Sequence, residues 1–219
     1  MRSVALIDYG SGNLRSAEKA LRRAADGVGG AIEVVTTCDP DTIAAADQVV
    51  LPGVGAFSAC KAALDARPGV VEAMTQAVRG RGAPFLGVCV GMQLLATRGL
   101  EFGGDAGLDW IGGEVRPLKP VDPAPPQRPL KVPHMGWNTL EGDLASPLFA
   151  GLPAGAHMYF THSFAFFPDD LADVAAWTDH GGRFAAAVVR GNLAGVQFHP
   201  EKSQEAGACL LGNFLKWRP

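Results

Sequence analysis

Four short apolar runs punctuate the first 90 residues: VALI (4–7), IEVV (32–35), QVVL (48–51) and PFLGV (84–88). Each has the length and the flanks of a buried strand. Between them the spacing becomes helical. Residues 13–26 place Leu14, Ala17, Leu21 and Ala24 on one stripe, with Arg15, Lys19, Arg22 and Arg23 off it, which predicts an amphipathic helix after Asn13. Residues 57–80 carry a second helical pattern, broken at Arg67-Pro68-Gly69. Strand and helix in alternation predict βα units and an α/β fold, a mostly parallel sheet with helices on both faces. The second half differs. RPLKPVDPAPPQRPLKVP (116–133) is too rich in proline for a regular element and reads as a loop, not a domain boundary. HMYFTHSF (157–164), DVAAWT (173–178), FAAAVV (184–189) and LAGVQF (193–198) follow closely enough to predict antiparallel strands added to the sheet, and a helix is expected over 203–217. Residues 1–219 are expected to form a single domain.

Composition narrows the function classes. Nineteen basic against 22 acidic residues leave a net charge of −3 without a block of like charge, so nucleic acid is not an expected partner. The four cysteines, Cys38, Cys60, Cys89 and Cys209, lack the spacing of a zinc site or a disulfide framework, and a reducing compartment is expected. SVALIDYG (3–10) follows without the basic region of a leader, and no apolar stretch approaches the roughly 18 residues of a membrane span. A soluble, cytoplasmic protein, with no membrane partner, is expected.

Three stretches carry candidate chemistry. In PFLGVCVGMQLL a strand runs into a helix-like pattern with glycines two residues either side of Cys89, the arrangement of a nucleophile elbow. There the positive end of a helix would favour a thiolate. A buried strand cysteine is the other reading, and the stretch alone leaves both open. In VQFHPEKS, Pro200 biases His199 toward extended backbone, where His199 and Glu201 point to one side and the carboxylate can orient the imidazole. Taken singly, these also fit a strand-end histidine beside a surface glutamate. LPGVGAF offers the amides near Gly53 and Val54 as half of an oxyanion hole, completed by the Val90 N–H. Together the three supply nucleophile, base, orienter and oxyanion donors.

PGVG, GVCVGMQLL and FHPEKS in this order resemble the triad-type, class I glutamine amidotransferases, whose fold is flavodoxin-like. YGSGNL (9–14), KVPHMGWN (131–138), YFTHSF (159–164) and HPEKSQEAG (199–207) resemble more narrowly the glutaminase-subunit family of imidazole glycerol phosphate synthase, nearly end to end. The resemblance implies that Cys89 attacks the amide of L-glutamine, His199 carries the proton to ammonia and Glu201 orients His199. It implies that Gln93, Glu101 and the backbone around His162, Ser163 and Phe164 hold the substrate. It further implies a separate (β/α)₈-barrel cyclase partner in a heterodimer, docked near Tyr9, Asn13, Trp137, Asn138, Tyr159 and Lys202, and neither cofactor nor metal. Trp137, beside a glycine in an expected loop, reads as either a core plug or an interface anchor. Three features depart from the family pattern: Val90 stands where leucine is more usual, ATRGLEFGG around Glu101 is less acidic, and segment 116–130 carries more prolines than expected. An amidotransferase serving a different synthase, and a silent binding protein on the same fold, are the competing readings.

Overall fold

The computed structural model describes residues 1–121 and 130–219. The four apolar runs form β1 (Arg2–Ile7), β2 (Ile32–Thr37), β3 (Gln48–Gly53) and β4 (Phe85–Cys89). Between them lie α1 (Leu14–Val28), α2 (Pro40–Ala45), α3 (Phe57–Asp65) and α4 (Val70–Thr75), the last continued by a π-helical turn, Gln76–Gly80. The amphipathic stripe of α1 buries Leu21, Ala24 and Ala25. The break between α3 and α4 falls where predicted, with Gly69 at φ 77°, a left-handed backbone that favours glycine. α2 is too short for periodicity to reveal; Asp39 starts it by accepting from the Thr42 amide at 2.9 Å.

After β4 come α5 (Val90–Gln93), β5 (Arg98–Gly99), β6 (Asp105–Ala106), β7 (Gly113–Pro117) and β8 (His134–Thr139). The chain continues through β9 (His157–His162), β10 (Phe164–Pro168), β11 (Val174–Asp179), β12 (Arg183–Arg190) and β13 (Leu193–Val196) to α6 (Gln204–Lys216). A seven-stranded sheet has the order β11-β12-β13-β4-β3-β1-β2. Its run β13-β4-β3-β1-β2 is parallel, and β11 and β12 are added antiparallel. Every residue of β3 and β4 is buried, as central strands of a sheet covered on both faces must be. α1 packs against α6, and α2 against α4.

Three expectations need correction. HMYFTHSF is two strands that part at Ser163: β9 joins β8 in a two-stranded ribbon, and β10 joins β7 in a four-stranded sheet, β10-β7-β5-β6. Trp137 lies on β8, not in a loop; the glycine and polar residues of HMGWNT hide the strand alternation. The expected loop at 116–133 begins inside β7, which runs to Pro117, and residues 122–129 of it lie outside the described residues. Among the described residues no helix is long and apolar enough to cross a membrane.

Candidate active site

Three adjacent parallel strands end together. β3 stops at Gly53, β4 at Cys89 in register with Gly53, and β13 leads through Gln197 to His199. The candidate residues therefore meet at the carboxyl edge of the sheet, where open α/β sheets place ligands.

Cys89 carries the strain of the turn itself, at φ 54° and ψ −111°. The flanking glycines serve close packing. A Cβ on Gly91 would lie 1.9 Å from the Leu51 carbonyl oxygen, and one on Gly87 2.4 Å from that of Gly91. The expected elbow helix is one turn, α5, so only its first amides, and no long helix dipole, face the thiol. Cys89 is buried, and Leu94 and Leu95 behind it are fully so.

His199 keeps the extended backbone expected before proline (φ −103°, ψ 97°), but Pro200–Lys202 closes into a 3₁₀ turn. That turn still brings Glu201 Oε1 to 2.8 Å from His199 Nδ1, with the two side chains 5% and 2% exposed. His199 Nε2 is buried and has no hydrogen-bond partner within ordinary limits among the described residues. Burial alone pushes the imidazole pKa down; the Cys89 sulfur, as an anionic acceptor, and the Glu201 carboxylate outweigh it and raise it to about 9. The ring is an imidazolium at neutral pH.

Cys89, Val90, Gln93 and His199 open on a cavity of about 590 Å³, whose wall also includes Val54, Glu101 and the segment His162–Phe164. A larger depression of about 770 Å³ beside Trp137 and Cys209 holds none of the three triad candidates. Val90 N–H opens α5 with no intrahelical acceptor. The Val54 carbonyl is turned to Ser11 Oγ at 3.0 Å and Cys60 Sγ at 3.3 Å, and Tyr9 holds the Pro52 carbonyl at 2.7 Å. The peptides around Gly53 are thus anchored on both sides. Gln93 spends both amide hydrogens internally, on the Phe164 carbonyl at 2.9 Å and Gln197 Oε1 at 3.0 Å, so it offers the cavity an acceptor. Glu101 Oε2 accepts from the Phe57 amide at the start of α3, at 2.7 Å. The Ser163 carbonyl receives the Leu118 amide at 2.8 Å.

The six docking candidates separate. Trp137 and Tyr159 meet edge-on across the β8–β9 ribbon, centroids 5.8 Å apart, and Lys202 Nζ sits 5.7 Å from the Tyr159 ring. Asn13 lines the cavity mouth. Asn138 donates to the Asp179 carbonyl at 2.8 Å. Tyr9 is 1% exposed, so its side chain presents no docking surface; burial pushes its phenol pKa up.

Two residues escaped the sequence reading. Ser203 Oγ accepts from the Tyr159 amide at 3.0 Å and donates to the His199 carbonyl at 2.6 Å, while the His199 amide donates to the Tyr159 carbonyl at 2.9 Å. Gln197 reaches Cys89 Sγ at 3.7 Å. A polar residue in an apolar run, two places before the histidine, was the available signal, and the structure buries it fully.

The family model described as glutamine amidotransferase class-I matches residues 5–217. The chain belongs to that family. This amidotransferase is 61% identical to the imidazole glycerol phosphate synthase subunit HisH of Caulobacter vibrioides, over 100% of both chains. It is 54% identical to the protein of that name from Rhodospirillum rubrum, over 99% of each. A crystal structure of a glutamine amidotransferase has the same fold at 18% identity, with a TM-score of 0.69 over 97% of each chain. A putative GMP synthase component from Thermoplasma acidophilum gives 0.64 at 20% identity, over 99% of this chain and 93% of that one.

Proposed function

We propose that this chain, a single amidotransferase domain, is the glutaminase subunit of imidazole glycerol phosphate synthase, acting in the cytoplasm in histidine biosynthesis. Identity of 61% over full length to a HisH protein supports the pathway assignment. The observation that carries the chemistry is a strained Cys89 and an otherwise unpartnered His199 Nε2 opening on one cavity.

In this reading the Cys89 thiolate attacks the side-chain carbonyl carbon of L-glutamine. The resulting oxyanion lies against the Val90 N–H and the amides around Gly53 and Val54. The His199 imidazolium gives its Nε2 proton to the amide nitrogen, the C–N bond breaks and ammonia leaves, with a γ-glutamyl thioester remaining on Cys89. Neutral His199 then takes a proton from water as the oxygen adds to the thioester. Thiolate departs, glutamate is formed, and His199 is again protonated. Glu201 holds Nδ1 throughout and stabilises the cationic ring. Gln93 and Glu101 supply acceptors for the substrate's N–H groups.

Free ammonia in neutral water is mostly protonated and non-nucleophilic, so direct transfer to a docked acceptor enzyme is an advantage. Trp137, Tyr159 and Lys202 form the proposed docking patch for a (β/α)₈-barrel cyclase, and Ser203 ties that ribbon to His199. The test is Cys89→Ala in the complex. Glutamine-dependent synthesis should vanish, while synthesis from added ammonium salt persists. Retained glutamine turnover refutes Cys89 as nucleophile, and joint loss of both activities refutes the division of labour.

A further inference from the structure

Gln197 is fully buried between Val196 and Phe198, which are also fully buried. An amide in such a place is unfavourable unless its groups are bonded. Its orientation follows from a backbone carbonyl. The Phe164 carbonyl oxygen can only accept, so Gln93 Nε2, 2.9 Å away, donates to it. The other hydrogen of that nitrogen goes to Gln197 Oε1 at 3.0 Å. Gln197 Nε2 is left facing Cys89 Sγ at 3.7 Å, as a donor.

The same carbonyl fixes a second branch. His162 Nδ1, 2.9 Å away, must carry its proton. His162 Nε2 then accepts from His134 Nδ1 at 3.1 Å, and His134 Nε2 accepts from Asn138 Nδ2 at 3.3 Å. Burial lowers the pKa of both rings, to about 3 for His162 and about 4 for His134, so the neutral forms this order demands are the ones present at neutral pH. Every donor and acceptor from Asn138 to the sulfur therefore has one direction.

We propose that Gln197 is a positioning residue for the nucleophile: its amide N–H fixes the Cys89 sulfur from the buried side and favours the thiolate. The inference rests on Cys89 being the nucleophile. A donor to a charged sulfur gains more than a donor to a neutral thiol, so the bond selects the reactive form. Gln197 does not line the cavity. Its effect falls on turnover, not on substrate affinity.

The test uses the full chain, alone and with its candidate cyclase. Gln197→Met keeps length and burial without the donor; Gln197→Asn keeps an amide but ends one methylene short. Each variant is compared with the parent for L-glutamine turnover, for melting temperature and for the pH profile of iodoacetamide alkylation at Cys89, located by mass spectrometry. The expected result for Gln197→Met is a fall in kcat of about 10–100-fold with KM within about twofold, and an alkylation midpoint about one pH unit higher. Gln197→Asn should shift in the same direction by less, and it decides the matter if the Met variant does not fold. An unmoved alkylation profile in a folded variant overturns the proposal, whether or not turnover falls. Cys89→Ala runs alongside: glutamine turnover surviving in it refutes the nucleophile assignment itself, a separate outcome.

Discussion

Glu201→Gln removes a charge while leaving the shape and an acceptor for His199 Nδ1–H. The parent pair is 2.8 Å apart and nearly dry, with side-chain exposures of 2% and 5%, so water does little to replace what is lost. His199 stands at about 9 against an ordinary 6.5. That rise is worth roughly 3 kcal/mol, net of a burial that opposes it. Cys89 and Glu201 share it. Removing the Glu201 charge, an opposite charge in direct contact, should lower the variant imidazole by at least about one unit. In the proposed mechanism the imidazolium is the proton donor to the leaving ammonia, so activity should be present below the His199 pKa and lost as pH rises through it. Glutamate formation measured from pH 6 to 10 should show an alkaline limb near 9 in the parent and at least about one unit lower in the variant. At pH 7 the loss should be about tenfold, from the weaker hold on the ring, and at pH 8.5 several-fold greater. The same shift appears in stability. A raised histidine pKa stabilises the fold fully below 6.5 and is lost as pH rises through about 9, so the variant should lose about 1–2 kcal/mol at pH 6, roughly 2–8 °C in melting temperature, and much less at pH 10. An alkaline limb that does not move, or a loss as complete as that of Cys89→Ala, refutes this account of Glu201.

Two further substitutions separate packing from chemistry. Gly91→Ala places a methyl 1.9 Å from the Leu51 carbonyl and should cost at least about 3 kcal/mol, whereas Gly80→Ala, with nothing within 4 Å, should be neutral within about 1 kcal/mol; equal melting temperatures would contradict the close-packed elbow. Glu101→Gln keeps an acceptor for the Phe57 amide, so its melting temperature should hold while KM for glutamine rises about tenfold; Glu101→Ala should raise KM and also lose about 1 kcal/mol. An unchanged KM in Glu101→Gln leaves that residue as a cap for α3 alone.

Local pattern was enough for four of the five strands of the parallel run, β13 being expected among the antiparallel additions. β1 to β4, α1 and α6 are legible because continuous apolar runs and 3.6-residue stripes are properties of neighbours in the chain. Glycines around Cys89 and proline after His199 marked the turns, the proline because it restricts the residue before it. Other features depended on partners far away in the chain. α5 ends after one turn, and only the approach of β3, whose Leu51 carbonyl meets Gly91, shows why its glycines cannot change. HMYFTHSF divides at Ser163 because β8 and β7, one on each side, claim its halves. The resemblance put Tyr9 at the docking face, but the Pro52 carbonyl, 43 residues on, takes its hydroxyl inside the fold. Gln197 is a polar residue in an apolar run, yet its proposed role depends on Phe164, Gln93 and Cys89, drawn from three other elements. Periodicity reports which face a side chain takes, and a hydrogen bond reports what lies across from it. The first is carried along the chain, and the second exists once the carboxyl ends of β3, β4 and β13 stand side by side.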